Sequence, residues 1–303
     1  MSFMTGIDWG TSSLRAYLID AQGRLLGEQE HPLGIMRVGE GQFARTLEEI
    51  IAPWRQSHAP SAIVMSGMVG SRQGWIEAPY ISCPVASEDL AAQLVAVELL
   101  SGTRAWIVPG VKYTTPDDRP DVMRGEETQV FGAAALCGVK EGLFVLPGTH
   151  SKWARLAEGR ITGFETYLTG ETFAVLREHS ILGRLMQGEQ GSGAGFEAGL
   201  AAANALATPG DLLNAFFSVR ALGLFDKLPP SEAGDYLSGL LIGAELKAAT
   251  RRHHGALRIL ADPALASRYA KAAECLGLAC HSAPAASTAA GLHLIARTAG
   301  LVS

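Results

Sequence analysis

Only four of the 303 residues are cysteine, and none of Cys83, Cys137, Cys275 and Cys280 belongs to a CxxC pair. That scarcity excludes a disulfide framework. The start of the chain also lacks a charged n-region followed by an apolar h-region, so the cytoplasm is the expected compartment. Cys275, Cys280 and His281 are too few for a zinc site, which needs about four ligands; the two cysteines read instead as small side chains buried in a helix. Long uninterrupted apolar runs are missing as well, which excludes a membrane span. Basic residues are outnumbered, 25 against 30 acids, for a formal charge of −5. A nucleic-acid partner is therefore not expected, while small anionic ligands stay open.

What is present is a repeat. The stretch LPGTHSKWARLAEGRI from Leu146 reads as a second copy of GIDWGTSSLRAYLIDAQGRL from Gly6. Gly10-Thr11 falls on Gly148-Thr149, Ser13 on Ser151, Ala16 on Ala154 and Leu18 on Leu156. Each copy is an apolar strand, a hydroxyl-rich Gly-Thr turn, a second strand, a polar Gly turn and a third strand. Strands are expected at 4–9, 14–20 and 24–30, and again at 143–146, 152–156 and 160–166. Two meanders, each followed by α/β elements, imply two similar halves with a cleft between them. A single parallel sheet would need crossovers where these tight turns stand. The expected domains are 1–138, with the first turn and the acceptor site, and 139–303, with the second turn. The last helix, 284–299, is expected to return to the first domain.

Other expected elements are a helix at 43–54, a short strand at 62–65, an Ala/Leu-rich helix over Glu88–Leu100 and a strand at 105–108. Thr114–Pro120 reads as a surface loop, and a helix is expected from Glu126 to Leu136. After the second meander the chain reads as helices at 171–187, 195–205, 211–223, 231–251 and 264–276, with one strand at 256–260.

The two turns suggest phosphate chemistry. Successive backbone N–H groups around Gly10, Thr11, Ser12 and Ser13, and around Gly148, Thr149, His150 and Ser151, can cradle phosphate oxygens without a basic patch. Arg15 and Lys152 offset phosphate charge, or are solvated hairpin residues. Asp8 can hold Mg²⁺ through water, or accept the turn's own N–H groups. His150 either donates to phosphate or orients its turn. At the head of the helix that follows Met123-Arg124-Gly125, Glu126 is the candidate general base for an acceptor hydroxyl, with helix capping as its plain alternative; Glu127 is the neighbouring competitor. In SGMVGSRQGW (66–75), Arg72 can pair with an acid and Trp75 can form an apolar wall, which suits an acidic sugar. Arg124 offers the same carboxylate contact.

Taken in order, DWGTSSLRAYL, SGMVGSRQGW, DVMRGEE, LPGTHSKW and FETYLTGE resemble the 2-keto-3-deoxygalactonate kinase family over nearly the whole chain. The resemblance implies an α/β, two-domain actin-like ATPase fold of duplicated ribonuclease H-like domains, closing around ATP and Mg²⁺. It implies phosphorylation of 2-dehydro-3-deoxy-D-galactonate at O6. Asp8 to Ser13 then match the first phosphate motif and Gly148 to Lys152 the second, with Glu126 as base where the wider group more often has Asp. LRILADPALASRY stands where the adenosine motif is expected, with Ala261-Asp262 in place of glycine. The alternatives are a kinase for a related sugar acid such as 2-keto-3-deoxygluconate, or a nonenzymatic ATP-binding regulator. A homodimer is the common outcome for such an enzyme.

Overall fold

The structure, a computed structural model, describes residues 3–57, 60–186 and 192–302. In chain order β1 (Phe3–Trp9), β2 (Leu14–Asp20) and β3 (Leu25–His31) form the first meander. Then come α1 (Phe43–Ser57), β4 (Pro60–Ser66), β5 (Tyr80–Ser82), α2 (Ser87–Ala91), β6 (Val95–Glu98), β7 (Arg104–Ile107), β8 (Gly110–Thr114), β9 (Pro120–Met123) and α3 (Glu126–Cys137). The second meander is β10 (Gly142–Leu146), β11 (Ser151–Ala157) and β12 (Arg160–Tyr167). It leads into α4 (Thr169–His179), α5 (Ala194–Ala205), α6 (Asp211–Leu224) and α7 (Pro230–Ala249). The chain continues through β13 (Leu257–Ile259), α8 (Pro263–Cys275), β14 (Cys280–Ser282) and α9 (Ser287–Thr298). No helix among the described residues is long and apolar enough to cross a membrane.

The chain packs as two units, one of Met1–Gly142, Ala154–Phe164 and Ala283–Ser303, the other of Leu143–Trp153 and Glu165–Ser282. In the first unit a six-stranded sheet runs β3-β2-β1-β4-β7-β6. The meander strands are antiparallel, whereas β1, β4 and β7 are parallel. That register sets Asp8 opposite Arg15 and beside Ser66. The helix α1 forms because Phe43, Leu47, Ile50 and Ile51 recur on one face; all four are buried against Ile7, Trp9 and Leu14 of the sheet. Each such side chain contributes roughly 1.5–3 kcal/mol relative to exposure. The pair α3 and α9 crosses at two glycines: a Cβ on Gly132 would stand 1.8 Å from the Ser287 carbonyl oxygen, and one on Gly291 1.9 Å from that of Thr128.

A five-stranded sheet runs β12-β11-β10-β13-β14, with β10, β13 and β14 parallel; β13, β14 and nearly all of β10 belong to the second unit, while Ala154–Phe164 of β11 and β12 is grouped with the first. This repeats the order β3-β2-β1-β4-β7 of the first sheet, so the duplication seen in the two meanders extends to the crossover strands. The helix α7 is the spine of the second unit. It presses on α5 through Gly199 and Gly239, where an added Cβ would stand 2.1 Å and 2.2 Å from the facing backbone oxygens of Tyr236 and Phe196.

Three expectations are corrected. The helix over Glu88–Leu100 is a single short turn, α2, followed by β6, which pairs antiparallel with β7; edge pairing outweighs the Ala/Leu composition. Cys275 and Cys280 do not share a helix: Cys275 ends α8, exposed, and Cys280 opens β14. The helix expected at 171–187 ends with α4 at His179 and is followed by one 3-10 turn, Gly183–Leu185; residue 187 lies outside the described residues. A further small sheet, β5-β8-β9, occupies the stretch around the Thr114–Pro120 loop, which is the connection between β8 and β9.

The α3–α9 crossing sets up a contrast between two helical glycines. Intrinsic propensity alone favours alanine over glycine by about 1 kcal/mol. Gly234, which has open space where its Cβ would go, should gain roughly that much as Gly234→Ala. Overpacking costs about 1–3 kcal/mol, so Gly132→Ala should melt lower than the parent despite the same propensity gain. Equal melting of the two variants in a thermal denaturation series would contradict the close crossing.

Candidate functional site

In the first unit the residues singled out by the motifs gather at the carboxyl ends of the parallel strands β1 and β4. The turn after β1 closes on itself, Gly10 N–H donating to Ser13 O at 2.9 Å. Its outer carbonyls are taken by the following loop: Ile35 N–H donates to Gly10 O at 3.0 Å and Met36 N–H to Thr11 O at 3.3 Å. Thr11 and Ser12 stay exposed. Arg15, opposite Asp8, donates to Glu30 on β3 at 3.2 Å.

Asp8 is pushed up to about 6, first by burial and also by the charge of Glu126, against a lowering pull from Arg15. Glu127 is pushed up to about 7 by burial and then by the same Glu126. One half-buried carboxylate thus acts on the half-buried Asp8 and the buried Glu127, which brings Asp8, Glu126 and Glu127 into one electrostatic group. The glutamates also cap α3: Arg124 N–H donates to Glu126 Oε2 at 2.9 Å, and Gly125 N–H to both Glu127 oxygens at 2.9 and 2.7 Å. Glu127, wholly buried, additionally accepts the Thr128 hydroxyl at 3.1 Å, which makes it a cap held inside the fold.

The two arginines assigned to an acid group differ sharply. Arg72 is 86% exposed and reaches Glu77 at 3.5 Å. Arg124 is 8% exposed, lies 4.2 Å over the Tyr80 ring and donates through Nη2 to Ala78 O at 2.8 Å. Its Nε and Nη1 are buried with no hydrogen-bond partner among the described residues. Leaving such donors unmet costs about 1–3 kcal/mol or more each. Trp75 stacks on Phe43 at 6.2 Å and lines a cavity of about 500 Å³ together with Glu40 and Glu98. Those two acids do not suit it to an anion.

In the second unit Gly148 and Thr149 rim a cavity of about 600 Å³. Its walls include Phe173, Asp235, Leu265, Arg268 and Tyr269. Three of these belong to α8, the helix that follows Ala261-Asp262. Asp262 has a local task there, its carboxylate accepting the Ala264 and Leu265 N–H groups at 3.0 Å each as the helix cap. His150 points away to Glu171, 2.6 Å from Nε2 to Oε2 on an exposed face. Lys152 is buried and donates to the Thr166 hydroxyl at 2.8 Å. The Ser151 hydroxyl donates inward to Glu245 at 2.7 Å.

Glu245 and Asp235 lie outside the quoted motifs, and Thr169, Arg268 and Tyr269, though inside FETYLTGE and LRILADPALASRY, are singled out only by the structure. The sequence holds one signal for them: Glu245 is a lone acid amid the apolar run LLIGAELKAA, where a buried acid demands donors. For Arg268, which joins Asp235 at 2.5 Å, helical periodicity offers no comparable mark. No group of three or more His, Cys, Asp or Glu side chains among the described residues forms a metal cage.

A family model described as 2-keto-3-deoxy-galactonokinase matches residues 8–295. The 2-dehydro-3-deoxygalactonokinase of Escherichia coli K12 is 38% identical over 275 residues, covering 89% of each chain. Among solved structures, one from Sinorhizobium meliloti carrying the same enzyme description aligns with a TM-score of 0.86 and 35% identity, over 97% of this chain and 98% of that one. The activator of 2-hydroxyisocaproyl-CoA dehydratase from Clostridium difficile aligns with a TM-score of 0.54 over 98% of this chain and 95% of the other. At 12% identity that likeness shows the fold alone. The α/β, actin-like ATPase fold implied by the motifs is the fold found. From its first strand to its last helix, this chain belongs to the 2-keto-3-deoxy-galactonokinase family.

Proposed function

We propose that the chain transfers the γ-phosphoryl group of ATP to the terminal O6 hydroxyl of 2-dehydro-3-deoxy-D-galactonate, in the cytoplasm, giving the 6-phospho sugar acid and ADP. Residues 1–138 handle the acceptor and 139–303 retain the nucleotide. The observation that carries the chemistry is the shared electrostatics of Asp8 and Glu126 at the end of β1. In-line phosphoryl transfer needs a carboxylate beside the acceptor hydroxyl, because that proton leaves as the new O–P bond forms and the bond to the ADP oxygen breaks. Glu126 takes the proton. The Gly10–Ser13 turn and the Gly148–Thr149 turn each offer neutral donors suited to phosphate oxygens, and the cavity beside Thr149 and Tyr269 is the place for the nucleoside. Asp8 fits a divalent cation: it is a half-buried carboxylate that Arg15 does not neutralise, and Mg²⁺ is usually held by one or two carboxylates plus phosphate rather than by a cage. When bound, Mg²⁺ would offset phosphate charge.

The reading is tested by ADP release with matched galactonate and gluconate derivatives. The galactonate derivative should be preferred, and Glu126→Gln should lower turnover about 100-fold or more while nucleotide affinity holds. Preference for the gluconate epimer would move the substrate. ATP binding without acceptor-dependent ADP release would leave a nonenzymatic regulator.

The acceptor's carboxylate is assigned to Arg124 ahead of Arg72, since a buried guanidinium with Nε and Nη1 unmet favours an anion, whereas Arg72 is solvated and joined to Glu77. Arg124→Met should raise the KM for the sugar acid about tenfold or more, as loss of a charge-assisted pair does, with KM for ATP unchanged. The same selective rise in Arg72→Ala instead would reverse the assignment.

Asp8 also makes a pH prediction. Its folded value, about 6, lies above its ordinary 3.8. The stability tied to it is therefore complete below the ordinary value and is lost as pH rises through about 6. Asp8→Asn should melt higher than the parent near pH 8, by up to about 3 kcal/mol, with no advantage near pH 4 and no turnover at either. A variant less stable than the parent near pH 8 would show that Asp8 is fully compensated without a cation.

A further inference from the structure

Glu245 is 3% exposed and sits about four-fifths of the way along α7. Its Oε1 accepts the Ser151 hydroxyl at 2.7 Å and the Trp153 indole N–H at 2.7 Å. Its Oε2 accepts the Tyr269 hydroxyl at 2.6 Å and the Thr169 hydroxyl. Four side chains from β11, α4 and α8 thus converge on one carboxylate of α7. Every contact is a donor, so the set is complete for the ionised acid, although burial pushes its pKa up against those bonds.

The partners are also the supports of the cavity rim. Ser151 is two residues beyond Thr149. Thr169 opens α4, and the next residue, Gly170, lies so near the turn that a Cβ there would stand 2.3 Å from Gly148 O. Glu171 N–H donates to Thr149 O at 2.9 Å, tying the same two segments together. Thr169 and Tyr269 line the 600 Å³ cavity beside Gly148 and Thr149. Glu245 itself lies behind that layer, lining a separate, mostly apolar cavity of about 450 Å³.

We propose that Glu245 is a positioning residue for nucleotide binding: it anchors Ser151 and Thr169 so that the Gly148–Thr149 turn keeps one phosphate-receiving shape. The inference rests on the reading of the adjoining cavity as the nucleotide site. Glu245 does not touch the nucleotide; it acts through the turn. Glutamine can take over much of the work. Its amide oxygen accepts from Ser151 and Trp153, and its amide nitrogen donates to the Thr169 and Tyr269 oxygens, whose hydroxyls are free to rotate. Leucine leaves all four groups without their acceptor.

The experiment compares the full-length parent with Glu245→Gln and Glu245→Leu, well below each melting midpoint. It measures the Kd of a nonhydrolysable ATP analogue with Mg²⁺ and the KM for each substrate. Glu245→Leu should weaken the analogue and raise KM for ATP about tenfold or more, while KM for the sugar acid moves less than about twofold; Glu245→Gln should restore most of the loss. If Glu245→Leu does not fold, Ser151→Ala combined with Tyr269→Phe should show the same nucleotide-selective loss. A folded Glu245→Leu, or that double variant in its stead, that binds the analogue as the parent does would overturn the inference alone. So would equal rises in both KM values. A parent chain that binds no ATP analogue would overturn the inference and the nucleotide reading together.

Discussion

A carboxylate taken out of water costs several kcal/mol unless donors replace its hydration, and the second unit is built around meeting that requirement at Glu245. The donors that answer it are drawn from a strand and two helices, so satisfying one charge fixes the relative placement of all of them. Glycines do the complementary work of letting backbones approach. Gly199 and Gly239 allow α5 to lie against α7, and Gly170 allows the head of α4 to lie against Gly148. The cavity is the space left over once the charge is satisfied and the helices have closed on each other.

The first unit treats its acids in the opposite way. Glu127 is met by the backbone at the head of α3, but burial and Glu126 still push it up to about 7. Asp8, beside Ser66 at the strand ends, has only the distant help of Arg15, which is already joined to Glu30. Arg124 is the same situation with the opposite sign, a cation resting on the Tyr80 ring with two donors unmet. Incomplete charges of both signs, held in place by a well-packed sheet, are what the proposed acceptor and cation sites call for. Complete compensation within the chain would favour the fold and leave nothing for a ligand to do.

Much of this architecture is legible in the amino-acid sequence. The meanders announce themselves by alternation around Gly-Thr turns, and each lies within a residue or two of its expected bounds. The helices α5 to α9 follow from apolar periodicity. Local composition misleads where strand pairing competes with it: Val95 to Glu98 sit in an Ala/Leu-rich stretch yet form a strand, because β7 offers an edge to it. The short strands of β5-β8-β9 carry three to five residues each, too few for a period to emerge. At the site, the turn residues and the acids at the head of α3 can be named from sequence, because hydroxyls after glycine and acids at a helix start have distinct chemistry. Which arginine is buried cannot, since Arg72 and Arg124 both sit among glycines and differ only in what the sheet places above them. Glu245 is hidden for a related reason, its four donors being scattered from Ser151 to Tyr269.

The crossing of α3 on α9 has a bearing on how the molecule is made. The helix that carries Glu126 is seated, glycine against backbone, on residues 287–298, more than 150 positions further along the chain. A ribosome emits those residues long after α3, so the growing chain lacks its acid-bearing helix in final packing until they too have been made. A polypeptide halted before α9 would leave the Gly132 face of α3 without the backbone it packs against.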